Sequence, residues 1–128
     1  MQTKEECLNL VAHQATVVQE LSENDRKDRD LMLQLVSING LALAYLNEPF
    51  KNDKRLVITA LKQNGMSLAF ASQDLKNDRE IIVAAIQQNG DALQFATPRF
   101  RHNPQLNAMA VKQKLMGAKN KIKVNVKN

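Results

Sequence analysis

The 128-residue sequence contains no tryptophan, one tyrosine, four phenylalanines and a single cysteine, Cys7. A lone cysteine excludes an internal disulfide and a cysteine-based zinc site, and it suits a reducing compartment. The shortage of aromatic residues argues against an all-β domain, whose strands draw on aromatic and β-branched side chains. Acidic side chains are missing altogether beyond Asp91. Residues 1–91 hold ten basic and thirteen acidic side chains, a net charge of −3, and the remainder carries +8. No stretch approaches the roughly 18 continuous apolar residues that read as a membrane span. The first sixteen residues break their apolar positions with Lys4, Glu5, Glu6 and His13, so neither a secretory signal nor a membrane span is expected. A cytoplasmic protein is the expectation.

What the sequence does have is a core-forming share of apolar residues, 44% against 24% charged, at the size of one domain. It also repeats itself. Residues 52–76 align without gaps on residues 77–101, with 9 of 25 positions identical. One step earlier, residues 27–51 keep Asp28, Asn39, Gly40, Leu43 and Tyr45 at the positions of Asp53, Asn64, Gly65, Leu68 and Phe70. Outside these three repeats the pattern weakens. Residues 2–26 keep Leu10, Val11, Val18 and Leu21 but have Ala15 for the glycine. The segment from His102 keeps Leu106, Ala110 and Val111 but has Leu115 there. Repeat arrays need such atypical ends.

Within a repeat, Leu56, Ala60 and Leu61, like Ile81, Ala85 and Ile86, recur at i, i+4 and i+5, which predicts one apolar stripe on a helix of about twelve residues. Asn77 or Asp78 is placed to cap its start, and Asn77 with Glu80 has capping-box spacing. Gly40, Gly65 and Gly90 are expected to end these helices in the left-handed conformation. Asn-Gly also signals a β-hairpin, but the flanking residues do not alternate apolar and polar. A second, shorter helix is expected over 66–72 and 91–97, and Phe50, Leu75 and Phe100 should pin the connecting turn. Tyr45, Phe70 and Phe95, equally spaced, read as core rather than as a stacking ladder for bases. The predicted fold is an all-α, right- or left-handed solenoid of about five 25-residue helical hairpins: three well formed, two degenerate caps. It should form one domain over 1–117, followed by a basic, extended or flexible tail over 118–128.

The string that runs from Asn77 to Ala96, and again from Asn52 to Ala71, resembles a helical repeat family of unknown function that recurs in effector proteins of Legionella and in some algal proteins. That family has no shared catalytic residues. The resemblance implies a non-enzymatic role, and for a chain of this size it implies an inhibitor of effector enzymes with ubiquitin deamidase and transglutaminase activity.

The residues themselves point the same way. Six residues on a helix put Cys7 and His13 on different faces, against a nucleophile and base. His13 and His102 do not make a metal site without further ligands, and no cofactor is expected. The acidic pairs Asp28 with Asp30 and Asp78 with Glu80 suit helix starts and lack the pattern of a calcium loop. The candidate protein-binding residues are therefore the basic ones at the C-terminal end: Arg99, Arg101, Lys112, Lys114, Lys121 and Lys123. Polar and apolar residues alternate over 121–126, so the tail is also read as a strand that adds to a partner or to a second copy. A homodimer is allowed, because a short array leaves apolar end faces. Nucleic acid is the alternative partner, against which the acidic body and the absence of a binding motif both argue.

Overall fold

The computed structural model describes residues 2–126, with side chains through residue 117, and every regular element among them is helical. The all-α expectation holds, but each repeat has three helical pieces. A long α-helix comes first: Lys4–Leu10, Arg29–Ile38, Lys54–Gln63 and Arg79–Gln88. Next is a 3-10 helix: Ala15–Glu20, Gly40–Tyr45, Gly65–Phe70 and Gly90–Phe95. A one-turn α-helix closes the unit: Glu23–Arg26, Glu48–Lys51, Gln73–Lys76 and Pro98–Arg101. The second arm of the expected hairpin is thus a 3-10 helix, and the expected connecting turn is itself helical. Leu75 and Phe100 are buried within those short helices and Phe50 is half-buried. Residues 2–26 form a full unit with a shortened long helix. The chain ends in one continuous helix, Pro104–Val126. It passes Gly117 without a break, and residues 121–126, read above as a strand, lie in its backbone; side chains of 118–128 lie outside the described residues.

Capping fixes where the long helices begin. Asp28, Asp53 and Asp78 accept hydrogen bonds from the main-chain N–H groups of Leu31, Leu56 and Glu80. The expected Asn77–Glu80 capping box is replaced by a different contact. The Asn77 side-chain oxygen accepts a hydrogen bond from the Thr97 hydroxyl at 3.0 Å, as Asn52 does from Ser72 at 2.6 Å, so these asparagines tie the short helix of one repeat to its successor. A capping box does form at the first helix, between Thr3 and Glu6.

The Asn-Gly pairs work differently from expectation. Asn39, Asn64 and Asn89 are extended, and each side-chain oxygen accepts a hydrogen bond at 3.0 Å from the N–H two residues on. One asparagine therefore closes the α-helix and opens the 3-10 helix. No glycine among the described residues has a positive φ. Gly40, Gly65 and Gly90 are required by proximity instead: a Cβ on each would come closer than 3.0 Å to the carbonyl oxygen of Ala60, Ala85 or Ala110 in the next unit. The N–H of each glycine donates at 2.5–2.6 Å to the side-chain oxygens of Gln63, Gln88 and Gln113.

The units stack in sequence order. Each long helix packs against the next, and each 3-10 helix after the first nests between its own long helix and the following one. Leu56, Val57, Ala60 and Leu61 are fully buried, as are Ile81, Ile82, Ala85 and Ile86. Two apolar edges, rather than the single stripe expected, let every long helix bury surface on both neighbours. Each buried aliphatic side chain contributes about 1.5–3 kcal/mol by leaving water, and contacts between repeats outnumber those within them.

Candidate protein-binding surface

The long helices form one layer, and their outward side carries an aligned row of half-buried apolar residues: Leu8, Leu33, Ile58 and Val83, one per repeat. The helix start that sets this register also places charge beside it. Lys4 reaches Asp28 at 3.3 Å, Arg29 reaches Asp53 at 2.6 Å, and Lys54 reaches Asp78 at 3.0 Å and Glu80 at 2.8 Å. The first residue of each long helix thus grips the cap of the next. The Arg29 guanidinium holds the Asp53 carboxyl below the usual carboxylate range, and Lys54 does the same to Asp78. The Asp28 carboxyl is lowered first by the Leu31 N–H and then by Lys4.

That ladder ends at the fourth repeat. The next cap is Asn103, not an aspartate, and Arg79 reaches only the amide oxygen of Gln105 at 3.4 Å. Arg55 and Lys62 likewise have no carboxylate within 4.0 Å among the described residues. These three cations border two adjoining clefts across the third and fourth long helices. One, of about 600 Å³, is lined by Ile58, Lys62, Arg79, Glu80, Val83, Ala84 and Gln87. The other, of about 420 Å³, shares Ile58, Lys62 and Glu80 with it and extends to Lys54, Arg55 and Thr59. An aliphatic floor under unpaired guanidinium and ammonium groups suits the apolar and acidic side chains of another protein.

Of the basic residues singled out from the sequence, the four with described side chains lie in different places. Arg101 and Lys114 line a common cleft of about 420 Å³ at the C-terminal end of the stack, beside Leu93, Ala110 and Val111. Lys114 is neutralised there by Asp91 at 2.8 Å. Arg99 lies elsewhere, its guanidinium 4.6 Å from the centre of the Phe100 ring, in a cleft with Gln73, Asp74 and Asn77. Lys112 is exposed on the last helix and lines neither cleft. The side chains of Lys121 and Lys123 lie outside the described residues.

The aromatic row sits at the margin of the core. Tyr45 and Phe95 are half-buried against it and Phe70 is 38% exposed, while Leu43 and Leu68, two residues before, are fully buried. Cys7 is buried, with its thiol pushed up by desolvation, whereas His13 is exposed. No group of His, Cys, Asp and Glu suited to a metal occurs among the described residues, and none of their helices is long and apolar enough to cross a membrane.

The outward row escaped the sequence reading because Ile58 and Val83 directly follow the buried positions 57 and 82 and look like part of the buried pattern. The 25-residue register would have separated them, since Leu8, Leu33, Ile58 and Val83 keep their own column.

No curated protein and no solved structure matches the chain. A family model matches residues 28–74 and again residues 53–101, two overlapping matches that start one repeat apart and together take in more than half of the sequence. The chain belongs to that family, described as a domain of unknown function, DUF4116.

Proposed function

We propose that this protein is a non-enzymatic binding module that docks another protein on the outward side of its long-helix layer and thereby regulates it. The observation that carries the reading is the pairing of Ile58 and Val83, half-buried and in register, with Arg55, Lys62 and Arg79, which have no carboxylate partner among the described residues. An apolar strip on a rigid stack costs little ordering on binding, and flanking cations steer an acidic partner and reject a basic one. The repeat's resemblance to effector proteins makes an enzyme the first partner class to try, beginning with effector ubiquitin deamidases and transglutaminases that this chain would inhibit, in bacterial or host cytoplasm.

The test is affinity capture with three baits: the wild-type chain, an Ile58→Glu/Val83→Glu double variant, and a chain stopped at Gly117. The reading expects one protein to stay bound to wild type and to the shortened chain above about 0.3 M salt, to be lost from the double variant, and to change in activity when bound. Retention by the double variant would overturn it. The alternative, a nucleic-acid adaptor using Arg99, Arg101, Lys112 and Lys114, expects gel-shift binding at low salt that disappears near that concentration and weakens in the shortened chain.

A further inference from the structure

The exposures at the two ends of the stack reveal the two halves of one interface. At the interior repeats, Leu31, Leu35 and Ala60 are buried against the preceding unit, and Met32, Val36, Val57 and Leu61 are buried on the other edge. In the first unit the second pair of positions is covered, as Cys7 and Val11, both fully buried. The first pair is uncovered: Glu6 is exposed and Leu10 is 42% exposed. In the last helix the situation reverses. Leu106 and Ala110 are buried against the fourth repeat, while Asn107 is exposed and Val111 is 56% exposed. Leu115 and Met116 extend that open edge, 59% and 56% exposed.

Charge follows the same polarity. Residues 2–26 carry Lys4 and Arg26 against Glu5, Glu6, Glu20, Glu23 and Asp25, a net −3, and residues 102–128 carry six lysines and no carboxylate side chain. Two basic ends repel each other, as do two acidic ends, whereas a basic end attracts an acidic one.

We infer that copies of this chain associate head to tail, the open edge of the last helix in one copy, at Asn107, Val111 and Leu115, receiving Glu6 and Leu10 of the next as though it were the following repeat. Such contact is heterologous, so it leaves a free acidic end and a free basic end and extends with concentration instead of closing as a two-fold dimer. It uses the ends of the stack and leaves the outward side of the long helices open, so it stands or falls separately from the docking reading above.

Sedimentation velocity over a concentration series decides it, using the full-length chain, Leu10→Glu and Val111→Glu. The wild-type mass should rise past twice the 14.4 kDa monomer as concentration increases, and fall with added salt. Each variant alone should stay monomeric, because every copy lacks one half of the contact. Mixed together they should form a 1:1 dimer and nothing larger, since the Leu10→Glu copy keeps its last helix and the Val111→Glu copy keeps its first. Leu10→Gln and Val111→Gln, milder changes at the same positions, repeat the test if a glutamate unfolds either end. A wild-type chain that remains monomeric, a dimer that survives in either variant alone, or a mixture of folded variants that gives no dimer overturns the inference.

Discussion

Gly65 lies so close to the carbonyl oxygen of Ala85 in the following repeat that the Cβ of an alanine would come inside 3.0 Å of it, while the Gly65 N–H donates to Gln88 at 2.5 Å. Backbone meets backbone between repeats. At a negative φ, glycine to alanine usually stabilises by reducing the freedom of the unfolded chain, by about 0.4–1 kcal/mol. Here the clash decides the sign. Gly65→Ala should destabilise by about 1–3 kcal/mol, read as a lower urea midpoint. Gly117→Ala, in the last helix with nothing within 4 Å of its Cβ, should do the opposite and raise stability by up to about 1 kcal/mol. Equal responses at the two positions would refute the close-approach explanation.

Ser67 is fully buried and its hydroxyl has no hydrogen-bond partner. The equivalent positions hold Ala42 and Ala92. Removing an unsatisfied buried hydroxyl should help, so Ser67→Ala is expected to raise stability by about 1 kcal/mol. A lower thermal midpoint for the variant would mean that the hydroxyl is satisfied in solution.

The Asp53 carboxyl is held low by Arg29. Its contribution to stability is therefore fully present above the unfolded pKa of about 3.9 and is lost as pH falls through the lower folded value. Asp53→Asn keeps a side chain that can cap the helix but removes this titration. Melting temperatures measured between about pH 2 and pH 5 should fall less steeply for the variant than for wild type. Parallel curves would show that the pair contributes nothing that titrates, as exposed pairs often do.

Cys7 is fully buried and its thiol is shifted upward by desolvation, so little thiolate is available at neutral pH. Its reaction with an aromatic disulfide reagent should be slow in the folded protein and should accelerate with denaturant as the first repeat opens. Fast labelling of the native chain at neutral pH would show that the first unit is open.

Much of the architecture was readable from the sequence because it rests on local signals. The 25-residue period and the Asp caps at 28, 53 and 78 place the long helices, and the apolar positions at 56, 60 and 61 mark buried positions, 56 and 60 on one edge and 61 on the other. The character of Gly40, Gly65 and Gly90 was not readable, because the atom that excludes a side chain belongs to a residue twenty positions away in the next unit. The 3-10 helices were read only as second, shorter helices, because six residues carry too little pattern to tell a 3-10 helix from an α-helix. The binding surface was sought in the charge excess at the C-terminal end. Arg55, Lys62 and Arg79, which border the clefts of the long-helix layer without a carboxylate partner among the described residues, lie in mid-chain, and their lack of partners depends on which acids the stacking brings near.

The most direct test of the docking surface is a methyl-resolved NMR titration of the isotope-labelled full-length chain with the unlabelled protein it captures. The account predicts that the methyl signals of Leu33, Ile58 and Val83 shift or broaden on binding while those of Val111 and Leu115 stay in place. Perturbation confined to Val111 and Leu115, with Ile58 and Val83 unchanged, would contradict it.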